Sequence, residues 1–140
     1  MFNWKEEFSC NVKSIDTQHK RLFELANELY DLLSLKDDYD RYDRYDDILN
    51  TLSELQRYTV YHFSYEEDLM KSVNYTNFEA HKKQHDNFVK KVTSIDKDYI
   101  DENQKEVLKD LLLFIVDWIE GHILKVDMQY KNLFNEKGIK

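Results

Sequence analysis

The sequence contains no proline, only two glycines (Gly121 and Gly138) and a single cysteine, Cys10. Sheet-rich folds need frequent tight turns, and turns draw on proline and glycine. Their shortage excludes many-stranded architectures and favours a few long helices with polar connections. One cysteine excludes an internal disulfide and fits a reducing compartment. No run of 18 apolar residues occurs, so no helix is expected to span a bilayer. The first residues, Met1-Phe-Asn-Trp-Lys-Glu-Glu, lack the basic-then-apolar order of a secretory leader. A cytoplasmic protein is therefore expected. Positive charge is also short. Twenty Lys and Arg against 28 Asp and Glu leave a formal charge of −8, which excludes the cationic footprint that nucleic acids and anionic membranes require of a partner.

What the chain does have is helical periodicity, four times over. Its 140 residues suit one domain, 1–140. The spacing predicts a first helix over about 16–35, with an inner stripe of Ile15, His19, Leu22, Ala26, Leu29 and Leu33. Asp16 serves as N-cap or first-turn acid. A second helix, about 45–73, carries Ile48, Leu52, Leu55, Thr59, His62, Glu66 and Leu69. A third, about 77–95, carries Phe78, His81, His85, Phe88, Val92 and Ile95. A fourth, about 102–124, carries Leu108, Leu111, Ile115, Trp118 and His122, and a short helix over about 127–134 follows. Alternating steps of three and four mark bundle packing. The expected fold is all-α: an antiparallel, up-down-up-down four-helix bundle with an N-terminal arm (residues 1–14, with Phe2, Trp4, Phe8 and Val12) and a short C-terminal helix. The Tyr-Asp-Arg-rich stretch 36–47 is expected to be a solvated loop or a frayed helix start.

The unusual feature is where the polar residues fall. His19, His62, Glu66, His81, His85 and His122 all lie on stripes that should face the core, where an unpartnered polar group is costly. His62 and Glu66, and again His81 and His85, are four apart, so each pair projects from one helix face. Every helix contributes at least one histidine, and no histidine lies elsewhere. A bound metal would compensate all six positions. Imidazoles with carboxylates are borderline donors suited to Fe, Zn, Cu or Ni. Six or seven protein ligands exceed the four that one zinc takes, whereas two ions sharing bridging carboxylates accommodate the number.

The pattern His19, His62-x-x-x-Glu66, His81-x-x-x-His85, His122-x-x-x-x-Asp127 resembles the ligand set of hemerythrins. The run Ile15-Asp-Thr-Gln-His19 and the early Trp4 resemble their bacterial members. The resemblance implies two Fe ions with an oxo or hydroxo bridge, His81, His85 and His122 on one, His19 and His62 on the other, and Glu66 and Asp127 bridging them. It further implies an open position for O2 on the two-histidine iron, where O2 is held as a hydroperoxide. Leu22, Phe63, Trp118, Ile119 and Ile123 match the positions that line the family's O2 pocket. The function implied is reversible O2 binding for storage, transport or delivery, with a partner enzyme as a recipient of O2. The alternative is a di-iron enzyme (peroxidase, oxidase or nitric oxide-handling) or an O2 or redox sensor at the same site. Carboxylate-type di-iron oxygenases use mostly Glu, with Glu-x-x-His pairs at i, i+3; the histidine-rich set here favours binding.

Asp127 is the ligand that spacing alone would not select. Five residues beyond His122 is about 140° around a regular α-helix, so it reaches the site only from a different angle or through a local distortion of the helix. Gly121, beside His122, is expected to mark tight backbone packing. Glu67 and Asp68 read as solvated face, Cys10 as inert packing, and Tyr39, Tyr42, Tyr45 and Tyr99 as surface. Tyr130 alone among the tyrosines falls close to the expected site.

Overall fold

The computed structural model describes residues 3–33, 41–95 and 104–140. Four helices dominate: α1 (Lys13–Leu33), α2 (Arg41–Ser72), α3 (Phe78–Thr93) and α4 (Gln104–Trp118). The chain then continues as a π-helical segment (Ile119–Val126), a 3-10 turn (Asp127–Tyr130) and α5 (Lys131–Glu136). No strand occurs among the described residues. Cross-helix pairs run in opposite senses. Tyr65 meets Ser14 while His62 meets Gln18, and Glu67 meets His85 while Gln56 meets Val92. Gln84 meets His122 while Phe88 meets Phe114. The bundle is therefore antiparallel, as the sequence pattern indicates.

Helix ends follow local chemistry. After α2, Asn74 takes a left-handed φ of 54°. The Tyr75 N–H reaches Met70 O and the Asn74 N–H reaches Lys71 O, which is a Schellman ending. Gly138, with φ 84°, closes α5 the same way, with the Ile139 N–H on Phe134 O. Here glycine is required, because a Cβ would be strained at that φ. α1 begins at Lys13, three residues before its predicted start, and Asp16 lies in its first turn. The Asp16 carboxylate accepts from Ser9 Oγ at 2.5 Å, and from the Cys10 N–H at 3.0 Å, pinning the arm to the helix. Trp4, Phe8 and Phe23 complete that docking with ring centroids 5.5–5.8 Å apart.

Differences from the expected pattern are local. α2 starts at Arg41, four residues before its predicted start, so of the two expectations for the Tyr-Asp-Arg stretch its later residues follow the helix start and not the loop. Met70 is fully buried and Leu69 only partly so. The prediction of tight packing at Gly121 is corrected, since a Cβ there would meet nothing within 4 Å. Phe2, the side chain of Leu33, the first helix's end at 34–35, the stretch 36–40 with Tyr39, the side chain of Tyr42, and residues 96–103 with Tyr99 lie outside what is described.

Two apolar clusters divide the interior. One gathers Leu22, Leu25, Leu29, Ile48, Leu55, Phe63, Phe88, Leu108, Ile115, Ile119 and Ile123. The other gathers Cys10, Val12, Ile15, Met70, Tyr130 and Phe134. Along the chain, the histidines and acids fall between these clusters: His19 lies between Ile15 and Leu22, and Glu66 between Phe63 and Met70. The bundle thus sandwiches one polar layer between two oily ones.

Candidate metal centre

All seven predicted residues meet in that layer, and all seven are buried, at 0–2% exposure. α1 supplies His19, α2 supplies His62 and Glu66, and α3 supplies His81 and His85. The π segment and the turn after it supply His122 and Asp127. Their inward atoms form two overlapping groups, Glu66, His81, His85, His122 and Asp127 in one, and His19, His62, Glu66 and Asp127 in the other, with ligand atoms in each group within 4.8 Å of one another. The carboxylates belong to both. Glu66 Oε1 lies 2.7 Å from His81 Nε2 and 3.6 Å from His85 Nε2, while Glu66 Oε2 lies 3.0 Å from His62 Nε2. Asp127 Oδ1 lies 2.9 Å from both His81 Nε2 and His122 Nε2, while Oδ2 lies 3.0 Å from His19 Nε2. Each acid therefore turns one oxygen to two members of the His81, His85 and His122 group and the other toward His19 or His62.

The π segment brings Asp127 into place. Its backbone N–H bonds to His122 O, five residues back. A π turn closes in about five residues, so His122 and Asp127 share a face that a regular α-helix would deny them. π-helical turns are rare and concentrate at functional sites.

These inward atoms are close, yet they do not satisfy one another. The Nε2 atoms of His19 and His81 and both oxygens of Glu66 and Asp127 are buried without a hydrogen-bond partner. Six such atoms in one layer would be a heavy penalty unless the donors converge on something else. Neutral imidazoles and ionised carboxylates are what a divalent cation requires. Burial lowers the pKa of His62 and of His122 below the ordinary value. Burial and the nearby Asp127 oppose ionisation of Glu66, but His62, His81 and His85 hold its carboxyl well below the usual range. Asp127 is likewise held down, by His122, His19 and His81 against the cost of burial. At His81 burial opposes charge, but Asp127 and Glu66 overcome it and push the pKa up to about 9.

Sequence reasoning missed the outer partners. His62 Nδ1 meets Gln18 Oε1 at 2.6 Å, His122 Nδ1 meets Gln84 Oε1 at 2.9 Å, and His85 Nδ1 meets Glu67 Oε2 at 2.8 Å. Each acceptor places the N–H on Nδ1 and so turns the Nε2 lone pair inward. Glu67 is therefore not solvated face. A signal was available: each of the three is the chain neighbour of a site residue and serves a histidine on the adjacent helix.

Among the five expected pocket residues, Leu22, Phe63, Ile119 and Ile123 are buried in the larger apolar cluster, and Trp118 packs half-buried against it. Phe63 lies flat on His85, with centroids 4.0 Å apart and planes 5° off parallel, and Trp118 stacks on His122 at 4.1 Å. Below the layer, Tyr130 stacks on His81 at 5.7 Å with its hydroxyl buried and unpartnered. Cys10 is fully buried, and burial together with Asp16 pushes its thiol pKa up, which leaves it inert at neutral pH.

The hemerythrin HHE cation-binding domain model matches residues 10–134. The chain belongs to the hemerythrin family. It is 42% identical over 130 residues to a bacteriohemerythrin of Clostridium acetobutylicum, covering 93% of this chain and 98% of that protein. It is 35% identical over 124 residues to a bacteriohemerythrin of Methylococcus capsulatus, covering 89% and 88%. A hemerythrin-like protein of Naegleria gruberi is 32% identical over 132 residues, covering 94% and 92%. A crystal structure of wild-type hemerythrin superposes with a TM-score of 0.69 at 29% identity, covering 94% of this chain and 96% of the other. The buried cluster of His, Glu and Asp fits a metal site of such a domain, and no described helix is long and apolar enough to cross a membrane.

Proposed function

We propose that this hemerythrin-family chain binds O2 reversibly at a pair of non-haem iron ions, as a single unit spanning 1–140 that stores, transports or delivers O2 in the cytoplasm, including to a partner enzyme. The observation that carries this reading is the asymmetry of the layer. Two carboxylates each offer one oxygen to a three-histidine group and one to a two-histidine group. His81, His85 and His122 would hold one ion, His19 and His62 the other, and Glu66 and Asp127 would bridge. The two-histidine position is one donor short, which is where a small ligand can enter.

A pair of ferrous ions held there would supply the two electrons that reversible O2 capture uses. The chain's own residues do the rest. Gln18, Gln84 and Glu67 hold three imidazoles with Nε2 inward. Leu22, Phe63, Trp118, Ile119 and Ile123 present apolar surface beside the layer, which excludes the water and protons that would make the binding irreversible. The five imidazoles, neutral when they act as ligands, against two carboxylates, favour capture over O2 activation.

The test is optical. Iron-loaded, reduced protein is mixed with O2 under otherwise anaerobic conditions, and O2 is then removed. A visible absorption band that rises with O2, vanishes on its removal and returns at full amplitude supports the reading. One-way oxidation with continued O2 consumption points instead to an enzyme.

A further inference from the structure

Three of the five imidazoles have an acceptor on their outer nitrogen, and the three acceptors are not equivalent. Gln18 and Gln84 offer neutral amide oxygens to His62 and His122, whereas Glu67 offers a carboxylate to His85 at 2.8 Å. An amide and a carboxylate hold a ring equally well in space. They differ in charge: a bond to an ionised acceptor is roughly twice as strong as a neutral one, and it makes the imidazole a better donor to a metal.

Orientation of His85 does not need that charge. Phe63 already lies flat on the ring, 4.0 Å away and 5° from parallel. Glu67 also reaches solvent. Its side chain is 15% exposed, at the edge of a cleft of about 540 Å³ between α2 and α3 that Ser64, Lys82, Asp86 and Lys90 also line. Lys82, the neighbouring cation, is drawn to Asp86 at 2.9 Å.

We infer that Glu67 is a positioning residue that raises electron donation by His85 and so stabilises the oxidised state of the three-histidine iron relative to its partner. This rests on the proposed di-iron reading. The two ions then differ in outer charge as well as in histidine number. The three-histidine position, already the more fully ligated, gives up its electron more readily.

The experiment is spectroelectrochemical titration of the iron-loaded protein with mediator dyes, each step adding one electron to one ferric ion. Glu67→Gln keeps size and acceptor and removes only the charge. It is expected to retain two irons per chain and to shift one of the two steps toward the reduced form by about tenfold, or 59 mV for a one-electron couple. Gln84→Glu, on an exposed position beside His122, is expected to shift the same step the opposite way. Glu67→Ala tests orientation. If Glu67 only holds the ring, Glu67→Gln is silent and Glu67→Ala alone moves the potential, which overturns the inference. If Glu67→Gln does not hold iron, the sign of the Gln84→Glu shift decides, and no shift overturns the inference. Wild-type protein that binds no iron overturns the functional reading itself, and this inference with it.

Discussion

Deleting Lys125 probes the π segment directly. This residue is exposed and lies between His122 and Asp127. In the present chain the Asp127 N–H reaches back five residues to His122 O. Removing one residue makes that reach four, the spacing of a regular α-helix and of the pair His62 and Glu66. At 100° per residue, four residues leave the carboxylate about 40° from His122, against about 140° for five residues wound as α-helix. The deletion should thus relax the π turn to an α turn and keep the acid in the layer. Inserting an alanine after Lys125 should do the reverse. It rotates the acid by about 100° on a helix some 5–6 Å in radius, a displacement of roughly 8 Å. Iron(II) titration under anaerobic conditions reads the result, with circular dichroism as the control for folding. The deletion should bind two ions within about tenfold of the wild-type affinity. The insertion, and the isosteric Asp127→Asn, should lose the second ion or weaken it by at least a hundredfold, beyond the 10–100-fold typical of an outer-shell partner. A folded insertion variant that binds two ions normally would refute the placement of Asp127. A folded deletion variant that binds none would refute the account of why the π turn exists.

Three further outcomes are expected. Tyr130→Phe removes a hydroxyl that is fully buried without a hydrogen-bond partner, and chemical denaturation should show the variant equally stable or more stable by about 1 kcal/mol. Phe63→Ala removes a side chain 3% exposed that stacks on His85, and the same assay should show a loss of about 3–5 kcal/mol. In metal-free protein the His81 pKa is raised to about 9 by Asp127 and Glu66 against the cost of burial. A raised pKa contributes stability below the unfolded value of about 6.5 that is lost as pH rises through the folded value. The melting temperature of the metal-free protein should therefore fall between pH 6.5 and 9, whereas His81→Gln should flatten that slope.

Six of the seven residues in the polar layer were legible because regular helices write faces into sequence. His19, His62, Glu66, His81, His85 and His122 fall on the same three-and-four stripes as the leucines around them. Asp127 fell off the stripe because its segment is not α-helical, and nothing in Ile119–Val126 marks a π turn by composition; Gly121 sits there in open space. Only the family pattern pointed to Asp127. Glu67, Gln18 and Gln84 were missed for a different reason, since adjacency to a site residue in the chain does not say which histidine each one serves. Their partners lie on neighbouring helices, and the pairing depends on how the helices are rotated about their axes. The same rotation decides that Met70, not Leu69, faces inward at the end of α2. The start of α1 shifted because Asp16 acts backwards on the arm, through Ser9 and Cys10, rather than capping the helix at its first residue.

The central claim is that two metal ions share Glu66 and Asp127. Crystals of the iron-loaded protein, measured at the iron absorption edge, test it most directly. The expected anomalous map holds two peaks per chain, one beside His81, His85 and His122 and one beside His19 and His62, with both carboxylates between them. A single peak at full iron loading, or peaks away from this layer, would contradict it.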